Sequence, residues 1–173
     1  MTLKYKIKFL DYWHVGSGLS AGAKLDALVL KDSNNLPFVG GKTIKGLVRE
    51  MAELLEDNTF VTSCFGQEGV DMGSVYFSNA TLTKTVSEQI ISHKLQDNLY
   101  DEIASTKIDA QGMAVEGSLR EIEVTIPVTL VGEVNDISKE YIEKMIQALK
   151  MIKRMGLNRN RGLGRCEITV EVA

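Results

Sequence analysis

Metal and thiol chemistry have little to work with in this chain: its 173 residues include two cysteines, two histidines, two prolines and one tryptophan. Cys64 and Cys166 stand far apart with no histidine beside them, which excludes a zinc knuckle and a disulfide framework and predicts reduced, packed thiols. There is no H-E-x-x-H metalloprotease motif, and no G-x-S-x-G elbow of a serine hydrolase. His93 belongs to no motif, and a lone histidine such as His14 more often packs or hydrogen-bonds than catalyses. No apolar run approaches the ~20 residues that cross a bilayer, so no membrane partner is expected. The opening residues alternate apolar and polar side chains instead of forming the apolar core of a signal peptide, which predicts a cytoplasmic protein.

What is present is ordinary in amount and uneven in placement. Apolar residues make up 44% and charged residues 25%, as in a soluble globular protein, and the length predicts one domain spanning residues 1–173. The net charge is −3, from 23 acids against 20 bases. Residues 88–143 carry twelve acids and four bases, whereas 144–166 carry seven bases and no acid. A local basic segment on an acidic body points to a polyanion bound at one place, not to general stickiness for nucleic acid. The centre of that segment is Leu157-Asn-Arg-Asn-Arg-Gly-Leu-Gly-Arg165. Gly162 and Gly164 let the backbone approach a ligand, with amide groups turned towards phosphate oxygens. The plain alternative is a helix C-cap followed by a surface turn. Arg159, Arg161 and Arg165 within seven residues favour RNA.

Hydrophobic periodicity supplies the elements. Residues 2–10 alternate Leu3, Tyr5, Ile7 and Phe9 against Lys4, Lys6 and Lys8, the pattern of a half-buried strand. Residues 16–22 form a flexible glycine-rich loop, and 24–31 a second strand closed by a turn at 32–37. Residues 42–55 repeat apolar positions at helical spacing, with Thr43 as a candidate cap. Residues 74–82 read as a strand, 87–95 as a weak helix, and 96–117 as irregular. Residues 120–134 read as a strand or hairpin interrupted by Pro127. The clearest helix runs through Ile137, Tyr141, Ile142, Met145, Ile146, Leu149, Ile152 and Met155. Asn135, Asp136 and Ser138 offer capping groups at its start, and Gly156 is its expected stop. Residues 166–172 alternate as a closing strand. The order predicts an α+β, ferredoxin-like fold with helices on one sheet face.

Three motifs carry chemistry. Gly41-Lys42-Thr43 evokes a phosphate loop, but the first glycine of G-x-x-x-x-G-K-[ST] would fall on Leu36, which excludes a nucleotide hydrolase. What survives is a helix opened by Gly40 and Gly41 whose first turns carry Lys42, Lys45 and Arg49, an arrangement that favours phosphate or a solvated face. His14 precedes Val15-Gly16-Ser17-Gly18. Asp26 follows the glycine-rich loop, where an aspartate is either a turn residue or one ligand of a Mg²⁺ ion that keeps several waters.

These segments, with Cys64-Phe65-Gly66, residues 73–80, Lys107-Ile108-Asp109, Gly117-Ser118-Leu119 and Glu123, occur in an order that resembles the RAMP superfamily (repeat-associated mysterious proteins) of CRISPR systems. The repeated backbone subunit of type III effector complexes is the nearest resemblance. It implies a ferredoxin-like, RNA-recognition-like core with insertions. It also implies a subunit that binds guide RNA in antiviral defence, assembles with copies of itself and other type III subunits, and presents the guide to single-stranded target RNA. Asp26 matches the aspartate that cuts the target with a divalent metal, taken as Mg²⁺, and Asp32 a second acid. The RNA-binding candidates are His14, Gly16, Ser17, Gly18, Gly40, Gly41, Lys42, Thr43, Lys45, Arg49, Arg159, Arg161, Gly162, Gly164 and Arg165. Asn79, Lys107 and Ala110 stand where the family more often has an acid, an arginine and a basic residue, and the short chain implies a reduced hairpin thumb. Two alternatives stay open: a capping or assembly subunit that does not cut, and a metal-independent guide-processing endoribonuclease with His14 as general acid or base.

Overall fold

The computed structural model describes residues 1–19, 25–67 and 69–173. Strand β1 (Leu3–Phe9) obeys its alternation throughout: Leu3, Tyr5, Ile7 and Phe9 are buried, and the three lysines between them face outwards. It lies at the centre of a four-stranded antiparallel sheet. β5 (Thr129–Asn135) and β6 (Cys166–Val172) pair with its two edges, and β2 (Tyr76–Phe77) extends the sheet beyond β5. Helix α1 (Gly41–Glu53) falls between β1 and β2 in the chain, and α4 (Ile142–Met151) between β5 and β6. Each connection passes over one intervening antiparallel strand, so two split βαβ units interleave, which is the ferredoxin-like arrangement expected. Ile44, Val48 and Ala52 of α1 and Met145, Ala148 and Leu149 of α4 bury their stripes in one core with β1. The opposite sheet face is polar: Lys4 approaches Glu133 at 3.9 Å and Lys6 approaches Glu171 at 3.3 Å, exposed pairs that add little stability.

A second sheet pairs β3 (Tyr100–Ser105) with β4 (Arg120–Thr125). The run 120–134 is therefore not one strand or one hairpin. Pro127, lacking an N–H, falls where β4 leaves β3 and β5 joins β1. The expected strand at 24–31 is also corrected, and its first residue, like residues 20–22 of the loop before it, lies outside the described residues. From Leu25 on the segment makes only isolated bridges, Val29 with Gly16, Ala27 with Ile122 and Lys31 with Pro37, so no ladder forms. A side chain takes over part of the pairing: Glu123 accepts the Val29 N–H at 3.0 Å and the Lys31 ammonium at 2.6 Å.

Other boundaries moved for local reasons. The strand expected at 74–82 shrinks to two residues because Ser78 and Asn79 use their side chains instead, accepting the N–H groups of Glu133 and Gly41. Helix α2 (Asn58–Phe65) went unread, although Asp57 caps it by accepting from Thr59 and Phe60, both at 3.1 Å, and pairs with Lys144. Helix α3 (Lys84–Ser92) begins before the expected residue 87 and buries no side chain, which explains its faint pattern. Helix α4 stops at Met151, where Ile152 turns extended at ψ 113°, and Gly156 takes φ +89° in the following loop without ending any helix. Asn135 accepts a bond from Thr2, and neither it, Asp136 nor Ser138 caps α4. Cys64 and Cys166 are buried free thiols, and burial pushes both up to about 11.

Thr125 is fully buried, and its hydroxyl has no hydrogen-bond partner. A buried unmet hydroxyl costs ~1–3 kcal/mol, so Thr125→Val should raise the unfolding free energy by about 1 kcal/mol in urea titration. A loss of stability would show that the hydroxyl is satisfied.

Candidate functional site

The site starts where β1 ends. The rings of Phe9 and Trp13 stack at 4.2 Å, and the Trp13 indole donates to the Ile126 carbonyl at 3.1 Å, which fixes the chain just before His14. His14 is 2% exposed, with Nδ1 2.6 Å from the Glu123 carbonyl. A carbonyl only accepts, so Nδ1 carries the proton, and in the neutral ring Nε2 presents a lone pair. Nε2 lies against Gly16, where an added Cβ would stand 3.2 Å from it.

The arginine loop hangs on the same stretch of backbone. Leu157 donates to the His14 carbonyl at 2.8 Å, Gly164 to the Tyr12 carbonyl at 2.8 Å, and Leu10 to the Arg165 carbonyl at 2.8 Å. Gly156 and Gly164 have positive φ, and a Cβ would stand 2.1 Å from the His14 oxygen and 1.9 Å from the Met155 oxygen respectively. Gly164 is thus required by packing at the loop's base. Only Gly162, at φ +94° with open space around it, has the freedom expected for close backbone approach to a ligand.

Two depressions flank the loop. On one side a cleft of about 520 Å³ gathers His14, Gly16, Gly18, Leu19, Asp26, Ala27, Leu28 and Leu157. Ser17 borders it but is committed internally, donating to the Leu28 carbonyl and accepting from the Leu19 N–H. Asp26 is exposed, and its carboxylate is half committed: Oδ2 accepts the Glu121 N–H at 2.9 Å, while Oδ1 has no partner among the described residues. No group of three His, Cys, Asp or Glu side chains among the described residues forms a metal cluster. The donor set therefore fits a divalent ion held by one carboxylate with water and phosphate oxygens, the habit of Mg²⁺, and does not fit zinc. Asp32 is a turn residue, accepting from Asn34 and Leu36 at 2.8 and 2.9 Å.

The expected cations divide. Lys45 donates to the Met72 carbonyl at 2.8 Å, Arg49 pairs with Glu53 at 3.0 Å, and Arg165 pairs with Asp11 at 3.0 Å. Lys42, Arg159 and Arg161 have no acidic partner among the described residues. The helix N-terminus is also partly spent, since the Gly41 N–H bonds the Asn79 side chain at 2.9 Å. Thr43 does not cap it, and the cap position, Gly40, makes no side-chain bond. A Cβ on Gly41 would stand 2.2 Å from the Phe77 oxygen, so this glycine serves helix–strand packing. Neither cleft contains Gly40 to Lys45. The second depression, across the loop, contains Arg159 with Lys153 and Arg154. Sequence reasoning passed over those two residues, although the acid-free window 144–166 included them.

Comparison with known proteins places this geometry. The family model "RAMPs: RAMP superfamily" matches residues 6–167. A chain of the cryo-EM structure of the Type III-B Cmr-beta bound to cognate target RNA is similar in fold, with TM-score 0.79, 12% identity, and coverage of 98% of this chain and 97% of that one. A chain of Type III-B Cmr-beta in its apo state gives TM-score 0.78 at 12% identity, with coverage of 98% and 97%. No curated protein matches the sequence.

The hydrogen bond to Glu123 fixes an observable. Long-range ¹H–¹⁵N NMR should show the neutral His14 ring protonated at Nδ1 and bare at Nε2. The opposite tautomer would mean that this bond does not form in solution.

Proposed function

The chain belongs to the RAMP superfamily, and from that membership we propose that it is a guide-RNA-binding subunit of a type III CRISPR ribonucleoprotein that cuts guide-complementary target RNA at Asp26. The observation that carries this reading is the loop at 157–163: it hangs by backbone bonds from the strand that bears His14, with the Asp26 cleft on one side and unpaired cations on the other. The fold similarity to chains of Cmr-beta, one of them in a complex bound to cognate target RNA, supports it. Partners in this reading are guide RNA, single-stranded target RNA, other type III subunits and further copies of this chain in heterologous contact.

Contacts to RNA fall on phosphates and 2′-hydroxyls, with sequence left to base pairing. Arg159, Arg161 and Lys42 supply charge, and the turn at Gly162 supplies open backbone. In the cleft, a ribose 2′-OH attacks the adjacent phosphate. Asp26 is held by Glu121 on one oxygen and offers Oδ1 to the reacting groups. A bound divalent cation, here Mg²⁺, would supply stabilisation of the charge that develops on the phosphoryl oxygens. A second reading keeps the same cleft without metal: His14, with its proton fixed at Nδ1, uses Nε2 as general base or acid.

Two experiments separate these readings. Arg159→Ala with Arg161→Ala should weaken single-stranded RNA binding and flatten its dependence on log[salt] by roughly 0.7 per lost phosphate contact. An unchanged slope in the folded variant would remove the loop from the interface. Asp26→Asn keeps an acceptor for the Glu121 N–H while removing the charge, so stability should shift by less than ~0.5 kcal/mol. Cleavage of complementary RNA by the assembled complex should nevertheless fall about a hundredfold or more, as when a positioned charge-stabilising group is lost. Cleavage that survives chelator and Asp26→Asn but is lost in His14→Ala selects the metal-free reading. Assembly without cleavage in any form selects a capping subunit.

A further inference from the structure

Residues 153 and 154 follow α4 outside the arginine motif, yet their backbone is held firmly. The Lys153 carbonyl accepts the Cys166 N–H at 2.9 Å, Arg154 forms an antiparallel bridge with Arg165, and Met155 donates to the Gly164 carbonyl at 3.0 Å. With Arg159 they border a groove of about 290 Å³. None of the three has an acidic partner among the described residues, in contrast to Arg49 and Arg165. Three unpaired cations on one rim repel one another and create a local positive potential that an anion relieves.

The floor of the groove differs from its rim. It is formed by Leu47 and Met51 of α1, both half-buried, and by buried Ile152. A bare phosphate gains nothing from an aliphatic floor, whereas a nucleobase, once splayed out of its stack, buries a flat apolar face there. Paired bases in an A-form helix have no such face to give, so the ligand is single-stranded. The one acid of the lining, Glu50, opposes a second phosphate on the α1 side.

Resting on the reading of the chain as an RNA-binding subunit, we infer that this groove seats one nucleotide of single-stranded RNA, its phosphate on Lys153, Arg154 and Arg159 and its base on Leu47 and Met51. The inference adds Lys153 and Arg154 to the binding residues and assigns α1 the base instead of the phosphate.

The test uses the full chain and an oligouridylate carrying 5-iodouridine. Lys153→Gln with Arg154→Gln should lower affinity at least tenfold and reduce the log–log salt slope by about 1.4, at 0.7 per phosphate contact on a single strand. Thermal melting confirms that the variant is folded. In a separate readout on the unaltered chain, photo-crosslinking followed by mass spectrometry should place an adduct on Met51. An unchanged salt slope in the folded variant overturns the proposal, and so do adducts confined to segments outside α1, while the RNA-binding reading stands in both cases. Failure of the unaltered chain to bind the oligonucleotide at all overturns both.

Discussion

One edge of β4 carries the arrangement of the site. β3 occupies the other edge, and alternate residues of β4 turn their backbone groups towards the loop between β1 and α1. Thr125 exchanges two bonds with Trp13, at 2.8 and 3.0 Å. Glu123 donates its N–H to Ala27, and its carbonyl receives the His14 proton at 2.6 Å. Glu121 accepts from the Asp26 N–H and donates to the Asp26 carboxylate. His14 and Asp26 are twelve positions apart in sequence, and the two-residue period of one strand sets them on the same cleft. The Glu123 side chain reinforces this from inside, bonding Val29 and Lys31 while 8% exposed. A buried carboxylate with both oxygens engaged gives rigidity to a segment that lacks a strand ladder of its own.

The second constraint acts from the opposite side. Having given their N–H and carbonyl groups to several partners, residues 10–14 also suspend the arginine loop, through the Tyr12 and His14 carbonyls. The glycines that look like ligand-binding glycines in sequence therefore split into two kinds. Gly156 and Gly164 allow two backbones to touch, and Gly162 alone keeps open space at the tip. The basic residues split in the same way. Asp11 neutralises Arg165 at the base, while Arg159, Arg161, Lys153 and Arg154 remain without an acid among the described residues. Positive charge is concentrated away from the acidic β3–β4 hairpin by local ion pairing as much as by composition.

Legibility followed periodicity. β1, β6, α1 and the body of α4 carry long, one-sided apolar patterns, and their positions were readable to within a few residues. Asp57 was a readable cap for α2, but the eight residues that follow have no strong apolar stripe and were passed over. What the pattern could not show is pairing decided by partners remote in sequence. Nothing near Ala27 announces Ile122, and nothing near Asn79 announces that its side chain would take the Gly41 N–H. The site was legible in kind, as a basic loop, a glycine segment and an aspartate. Which cations stay unpaired depends on Asp11, Glu53 and the Met72 carbonyl, and only the folded chain reveals those. Lys45 and Arg49 look identical to Lys42 until their partners are placed.

Asp26 sits at the border between the two charge fields. Glu121 and Glu123 of β4 flank it on one side, and on the other the cleft meets Leu157 at the root of the basic loop. A phosphate drawn onto the loop approaches a carboxylate whose second oxygen is open, and two anions at close range repel in proportion to how little water separates them. That repulsion favours one of two outcomes. Either RNA keeps to the cationic groove across the loop and leaves the cleft empty, or a divalent cation stands between Asp26 and the phosphate and reverses the sign of the interaction. The first outcome makes the chain an RNA-holding subunit, and the second a nuclease. Both use the same fold and the same arginine loop, so the charge state of a single oxygen in the cleft decides between them.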